Sequence, residues 1–387
     1  MLEPIRHTPC QTREQIIDYG DLPVFVHKSL PYLFVVCLSI QYNDEQSHNV
    51  FLTLGGNLRE DRDDLILGID LGGSKVLAAV VDSQGRVVSS HESVTPATKG
   101  REVVIRCIVD SARGALEQVR VAMSEISAVG IGAAGISNPE AGILFTSPNL
   151  PGWRNVLLRD IIQDRLGQRT FLINDANAAA LGEFYFGAAR DARNFIYITI
   201  STGIGGGIVI DGKVYTGAIG IAGEVGHMTI DDNGLVCNCG NRGCWETLAS
   251  GTALTREAKL RISKGVKTSM LEYAEGNMEN VTPQAIHRAA EKGDKLAKEL
   301  IAQTGYYVGV GLASLINIFN PELIVIGGGL SNIGDMLLGP AFKTAEKRAY
   351  REAFQAVRFA SPELGRNSGV IGAATFALQE MKRLQRG

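Results

Sequence analysis

Residues 65–82 read L-I-L-G-I-D-L-G-G-S-K-V-L-A-A-V-V-D, two apolar runs of strand length joined by a glycine turn. After a tight turn at Gln84-Gly85, the run R-V-V-S-S-H at 86–91 supplies a third strand. The same order returns at 194–215, where N-F-I-Y-I-T-I-S-T-G-I-G-G-G-I-V-I-D-G-K-V-Y again sets strand, glycine turn, strand, tight turn and strand in a row. Such a recurrence predicts an architecture duplicated within one chain. Helices at 103–119, 157–166 and 176–186, with strands S-A-V-G-I-G-A-A-G at 127–135 and T-F-L-I-N-D at 170–175, complete a first α/β unit. Helices at 253–262 and 296–319, the strand E-L-I-V-I-G-G-G at 322–329 and a terminal helix from Val370 complete a second. The expectation is two α/β lobes facing each other across a cleft, a small one of residues 65–185 with 370–387 and a large one of residues 186–369.

Composition excludes several classes. With 387 residues, 45% of them hydrophobic, the chain can bury more than one core. A net charge of -3 and a pI near 6.1 leave no electrostatic footprint for nucleic acid or an anionic membrane. The longest suspicious apolar run, Tyr32–Ile40, is too short for a membrane span, which needs roughly 20 residues, and it lacks the features of a signal peptide. Cys10, Cys37 and Cys107 are scattered without a disulfide framework, and a cytoplasmic location is expected. Residues 1–64 lack the rhythm of the rest. Their basic residues are Arg6, Arg13, Lys28, Arg59 and Arg62, outnumbered by acidic ones that end in the run Glu60 to Asp64. Three readings stand for this extension of unknown role: a poorly ordered tail, a small added element, or residues upstream of the natural start.

Each unit opens with a glycine turn suited to phosphate: D-L-G-G-S-K at 70–75 and S-T-G-I-G-G-G at 201–207. Gly72, Gly73, Gly203, Gly205 and Gly206 let backbone N–H groups approach phosphate oxygens, while Ser74, Lys75 and Thr202 add side-chain donors. Neither turn has the Walker A spacing, nor a G-x-G-x-x-G between strand and helix, which disfavours a P-loop or a dinucleotide site. Asp70 closes a buried strand, where a carboxylate needs a partner such as hydrated Mg2+ on nucleotide phosphates; the competing reading is a local turn cap. Gly328, between Gly327 and Gly329, stands where backbone passes a nucleoside, or marks a plain strand-to-helix turn. Asn174 and Asp175 end a strand ahead of an alanine-rich helix, as crevice-lining residues do. Asp175 can accept the proton of an attacking hydroxyl, with Asn174 positioning it, or it can be a helix N-cap.

Three of the six cysteines crowd into C-N-C-G-N-R-G-C-W-E at 237–246, a short way after E-V-G-H at 224–227. Cys237, Cys239, Cys244 and His227 are four N/S ligands, the set of a closed structural Zn2+ site with no position for catalytic water. The bland alternative is buried thiols or disulfide partners. Glu224 and Glu246 at the ends of the cassette, with the free ring nitrogen of His227, suit a polyhydroxylated ligand.

With S-P-N-L-P-G-W at 147–153 and N-D-A-N at 174–177 added to these motifs, the chain from about residue 65 onward resembles the ROK family of sugar kinases and related repressors, most of all its bacterial glucokinases. The resemblance implies an actin-like ATPase (ribonuclease H-like) fold, ATP with Mg2+, a homodimer, and phosphorylation of a hexose at its terminal primary hydroxyl. Glucose to glucose 6-phosphate comes first, ahead of N-acetylmannosamine, N-acetylglucosamine, fructose or mannose. It implies that Asp175 is the general base, that Gly135, Asn149, Asn174, Asp175, Glu224, His227 and Glu246 contact the sugar, and that His227 also binds zinc. Ser74 departs from the family's more usual threonine but keeps the hydroxyl. Repressors of the family carry a winged helix-turn-helix ahead of this region. Residues 1–64 are short for one, acidic, and interrupted by Pro4, Pro9, Pro23 and Pro31, so no nucleic-acid partner is expected. The rival reading is a sugar-sensing regulator that keeps the pocket without turnover.

Overall fold

The structure is a computed structural model that describes residues 64–386 and three strands before them, β1 (Phe25–Lys28), β2 (Phe34–Ile40) and β3 (His48–Leu52). These three pair antiparallel in the order β1-β2-β3. The acidic residues of the extension other than Asp64, together with Cys10 and the prolines at 4, 9, 23 and 31, lie outside the described residues. The chain divides into two units, Met1–Arg62 and Asp63–Gly387, and every motif quoted above falls in the second.

The first half of that unit runs β4 (Leu65–Leu71), β5 (Lys75–Val81), β6 (Val87–Val94), α1 (Arg101–Val119) and β7 (Ile126–Ala133). A small antiparallel sheet follows, β8 (Ile136–Asn138), β9 (Ile143–Thr146) and β10 (Arg154–Val156), and then α2 (Leu158–Leu166), β11 (Thr170–Asn174) and α3 (Asp175–Phe186). The second half runs β12 (Phe195–Ile200), β13 (Ile204–Ile210), β14 (Lys213–Val214), α4 (Glu246–Ala249), α5 (Gly251–Ser263), α6 (Pro283–Glu291) and α7 (Lys295–Phe319). It closes with β15 (Leu323–Gly327), α8 (Asp335–Arg348), α9 (Arg351–Ala356), β16 (Arg358–Ala360) and α10 (Ser368–Arg386).

The duplication is visible in the pairing. One five-stranded sheet has the order β6-β5-β4-β7-β11 and the other β14-β13-β12-β15-β16. In each, three strands form an antiparallel meander, and two later strands add on the other side, parallel to the first. Parallel neighbours need crossovers, and α1 and α2 supply them in the first half, while the long stretch from the cysteine cassette through α7, and then α8 and α9, supplies them in the second. The near-continuous burial of β4, β5, β7 and β12 matches sheets covered on both faces.

The last helix of each half crosses to the other half's sheet. Gly207 on β13 leaves a space whose Cβ position would lie 2.6 Å from Ala176 O and Ala180 Cβ, so α3 seats on the second sheet. On β4 and β7, a methyl at Gly68 or Gly130 would overlap the carbonyls of Val370 and Ala373, so α10 seats on the first. The two helices also pack on each other, where Gly372 meets Ala178 O and Gly182 meets Ser368 O. Glu183, fully buried on α3, accepts from Ala188 N (2.8 Å), Glu363 N (3.0 Å), Leu364 N (3.0 Å) and Ser368 Oγ (2.7 Å). Four donors satisfy a carboxylate that would otherwise be costly to bury, and they tie the approach to α10 onto α3.

Candidate active site

The open end of the first sheet presents two carboxylates. Asp70 on β4 pairs across to Gly132 of β7, and Asn174, last residue of β11, pairs with Ala133. With strands spaced about 4.8 Å apart, the two outer backbones lie about 10 Å from each other, and Gly132 between them carries no side chain. Asp175 therefore starts α3 within electrostatic reach of Asp70. Burial, then the charge of Asp175, pushes the Asp70 carboxyl up to about 7, with Lys75 opposing. Burial also raises Asp175, against hydrogen bonds that favour its charged form.

The alternative role weighed for Asp175 goes to its neighbour. Asn174 Oδ1 accepts from Ala176 N at 2.9 Å and Asn177 N at 3.1 Å, so it is the N-cap of α3. Its Nδ2 donates to Gly135 O at 3.1 Å. Gly135 has φ +118, and a side chain there would strike Thr146 O; it brings Ser147 and the segment carrying Asn149 alongside. Asn149 in turn fills the Cβ space of Gly73.

The glycine turns are built differently from one another. In the first, Gly72 N donates to Lys75 O at 3.0 Å and Thr95 Oγ1 donates to Gly72 O at 2.8 Å, while the Ser74 side chain is exposed. Lys75 Nζ lies 2.9 Å from Glu92, so the structure directs this expected phosphate donor along the sheet toward a neighbouring carboxylate. In the second, Thr202 and Gly203 form the turn, whereas Gly205 and Gly206 lie inside β13, opposite Thr199 and Ile198. Their bare faces admit Ala176 and the segment Gly223–Val225. Gly328, φ +91, folds back under Ile200 O, and Leu330 N donates to the same carbonyl at 2.9 Å; this sets the third glycine run beside the second turn.

On the second half's side, Glu224 Oε2 is 3.8 Å from His227 Nε2. Burial raises the Glu224 carboxyl, His227 opposes this, and the charges of Asp175 and Glu246 add to it, so all three lie within electrostatic reach of Glu224. The other ring nitrogen of His227, Nδ1, is 3.6 Å from Cys237 Sγ, and Cys239 Sγ is 3.6 Å from Cys244 Sγ. The four ligand atoms lie within 4.8 Å of one another. A tetrahedral Zn2+ with bonds of about 2.3 Å to sulfur and 2.0 Å to nitrogen has edges of about 3.8 Å (S–S) and 3.5 Å (S–N), so this set can hold such an ion. One buried group here carries no sequence signal of its own: Asn177, in the first turn of α3, has an Oδ1 without a partner among the described residues.

A carboxylate desolvated at the end of β4 costs stability. Asp70 is neutral in the folded state up to about pH 7 and ionises near 3.8 when unfolded. Its unfavourable contribution is therefore absent below pH 3.8, grows as pH rises, and is complete above 7, reaching up to about 4 kcal/mol. Asp70→Asn is expected to raise the melting temperature of the ligand-free protein at pH 8 and to leave it nearly unchanged at pH 4, read by thermal denaturation at both pH values.

Two meander-and-crossover halves with a glycine turn at the mouth of each define the actin-like ATPase class of fold. Residues 66–380 match the ROK family, and the chain belongs to it. It is 38% identical over 316 residues to a glucokinase of Streptomyces coelicolor, an alignment covering 81% of this chain and 97% of the relative. A xylose repressor of Caldicellulosiruptor bescii is 33% identical over 316 residues, covering 82% of this chain and 78% of that one. Among solved structures, a ROK family glucokinase from Streptomyces griseus in complex with glucose and AMPPNP superposes with a TM-score of 0.72 at 36% identity, covering 81% of this chain and 99% of that one. Among the described residues no helix is long and apolar enough to cross a membrane.

Proposed function

We propose that the protein is an ATP-dependent sugar kinase that phosphorylates the terminal primary hydroxyl of a hexose, glucose before N-acetylhexosamines, fructose or mannose. The observation that carries this reading is the position of Asp175. It stands at the start of a helix capped by another residue, between the first sheet's Asp70 and the Glu224–His227–Glu246 group. Glu224, Glu246 and the Nε2 of His227 orient the sugar's hydroxyls, with Gly135, Asn149 and Asn174 closing the pocket from the first half. Asp175 takes the hydroxyl proton as the sugar oxygen bonds to the γ-phosphorus and the bond to the departing ADP breaks. Burial raises its pKa, which strengthens it as a base. The exposed Ser74 and Thr202 and the N–H groups of the two turns hold phosphate oxygens. Asp70 would hold the Mg2+ that accompanies the nucleotide, an ion that would supply charge neutralisation at the phosphates, and the glycine run at 327–329 would pass the nucleoside.

The similarity to xylose repressors supports a second reading, a sugar-sensing regulator. Purified protein with ATP, Mg2+ and a panel of sugars decides between them: ADP release with glucose supports the kinase, and sugar binding without ADP release from any sugar moves the chain to the sensors. A homodimer in the cytoplasm remains part of the proposal, tested by the mass of the purified protein in solution and by its location in the cell.

Zinc enters the same proposal as a structural ion on Cys237, Cys239, Cys244 and His227 Nδ1. Purified protein is expected to contain about one Zn2+ per chain. Cys239→Ser should lower both metal content and glucose affinity, the latter by about tenfold or more, because the ion fixes the direction of the histidine ring. Elemental analysis with calorimetric titration checks this, and a variant with normal glucose affinity would refute the link.

A further inference from the structure

We propose that Glu246 couples the sugar pocket to the second phosphate turn, so that sugar bound at one carboxylate oxygen raises nucleotide affinity through the other. The inference rests on the reading of the cleft as a sugar kinase site. Glu246 Oε2 accepts from the backbone N–H of Ile204 at 2.8 Å, and Ile204 closes the turn that begins at Ser201. Among the described residues Oε1 has no hydrogen-bond partner, which leaves it for a sugar hydroxyl. The same carboxylate lies against the bare face of Gly203, where a side chain would overlap Glu246 Oε2.

Both pocket segments bear on the same residue. Glu246 holds the N–H of Ile204, and Gly226, between Glu224 and His227, packs so closely on Ile204 O that a methyl group there would overlap it. The rest of the turn hangs from the residues that follow Glu246. Gly251 N donates to Ser201 O at 2.8 Å, and Thr252 Oγ1 donates to Thr202 O at 2.7 Å. The root of Glu246 is rigid, because the preceding Trp245 is fully buried and its Nε1 donates to Tyr307 O of α7 at 2.8 Å.

A carboxylate so anchored has mainly its own torsions left to lose. A hydroxyl on Oε1 fixes them, and with them the N–H groups that meet phosphate, so nucleotide binds a turn already ordered. Linkage then requires the nucleotide to raise sugar affinity by the same factor. Glu246 acts here as a positioning residue for the phosphate turn in addition to any contact with sugar.

The test is calorimetric titration of the full chain with AMPPNP and Mg2+, with and without saturating glucose, in wild type, Glu246→Gln, Glu246→Asp and Asp175→Asn. Wild type is expected to bind the nucleotide on the order of tenfold more tightly with glucose, and Asp175→Asn should keep that factor. Glu246→Asp, one methylene short of Ile204 N, should reduce it to near one even at glucose concentrations that saturate the variant. Glu246→Gln, whose amide oxygen can still accept from Ile204, should retain part of it. A wild type that binds no glucose overturns the reading of the pocket and the proposal with it. Glucose binding without any change in nucleotide affinity, or an undiminished factor in Glu246→Asp, overturns the coupling alone.

Discussion

Asp175→Asn is expected to fold, to bind sugar and nucleotide, and to lose kcat by a factor on the order of 10^2 or more, as when a positioned base is removed. The amide keeps the shape of the carboxylate and can still accept from Ala176 N, which Asp175 Oδ1 now does at 2.9 Å. The helix start is untouched because Asn174 is the cap. What the variant loses is basicity. Since the substitution also removes one of two neighbouring negative charges, the pKa of Asp70 should fall from about 7 toward its ordinary value, so binding of the metal nucleotide should not weaken. Steady-state kinetics beside calorimetric Kd values for glucose and AMPPNP separate the two effects. A near-normal kcat would remove Asp175 from the proton transfer and leave it a structural aspartate beside the cap.

Gly372→Ala is expected to destabilise the fold by more than about 3 kcal/mol. A Cβ on Gly372 would overlap the carbonyl of Ala178 and sit 2.9 Å from Gly182 N. These are backbone atoms of α3, so no side-chain rotation relieves the clash and the helices must part. Parting has functional reach: α3 carries Asp175 at its start, and Gly369 at the start of α10 abuts Asp70. Gly339→Ala on α8, where nothing lies within 4 Å of the new methyl, is the control and should stay within about 1 kcal/mol of wild type. Urea denaturation of the two variants checks the difference. Equal midpoints would show that α3 and α10 are not packed as described.

Much of the site could be read from the chain because its chemistry is local. The cassette brings three thiolates together within a few residues, and a glycine turn between two apolar runs needs no distant partner to be recognised. The helices at 157–166 and 296–319 were legible to within a residue or two because periodicity and caps sit in the segment itself. Other elements were passed over. The strands β8–β10 and β16 are only three or four residues long, too short for a period to register. Helix α6 does carry a signal in Thr282, a capping residue followed by a proline at the first helical position.

The sequence by itself determined that the protein is two α/β halves of one design, each opening on a glycine turn, with a cysteine and histidine cassette in the second. Those features follow from turn chemistry, side-chain period and ligand type, all of which act over a few bonds. Only the tertiary structure decided which carboxylate meets which partner. The crossing of α3 and α10, the mutual influence of Asp70 and Asp175, the cap on Asn174 rather than Asp175, and the hydrogen bond from Ile204 to Glu246 each depend on a choice among competing neighbours. A carboxylate or an amide can bond many groups equally well, and burial beside one of them, set by the packing of distant segments, selects the partner.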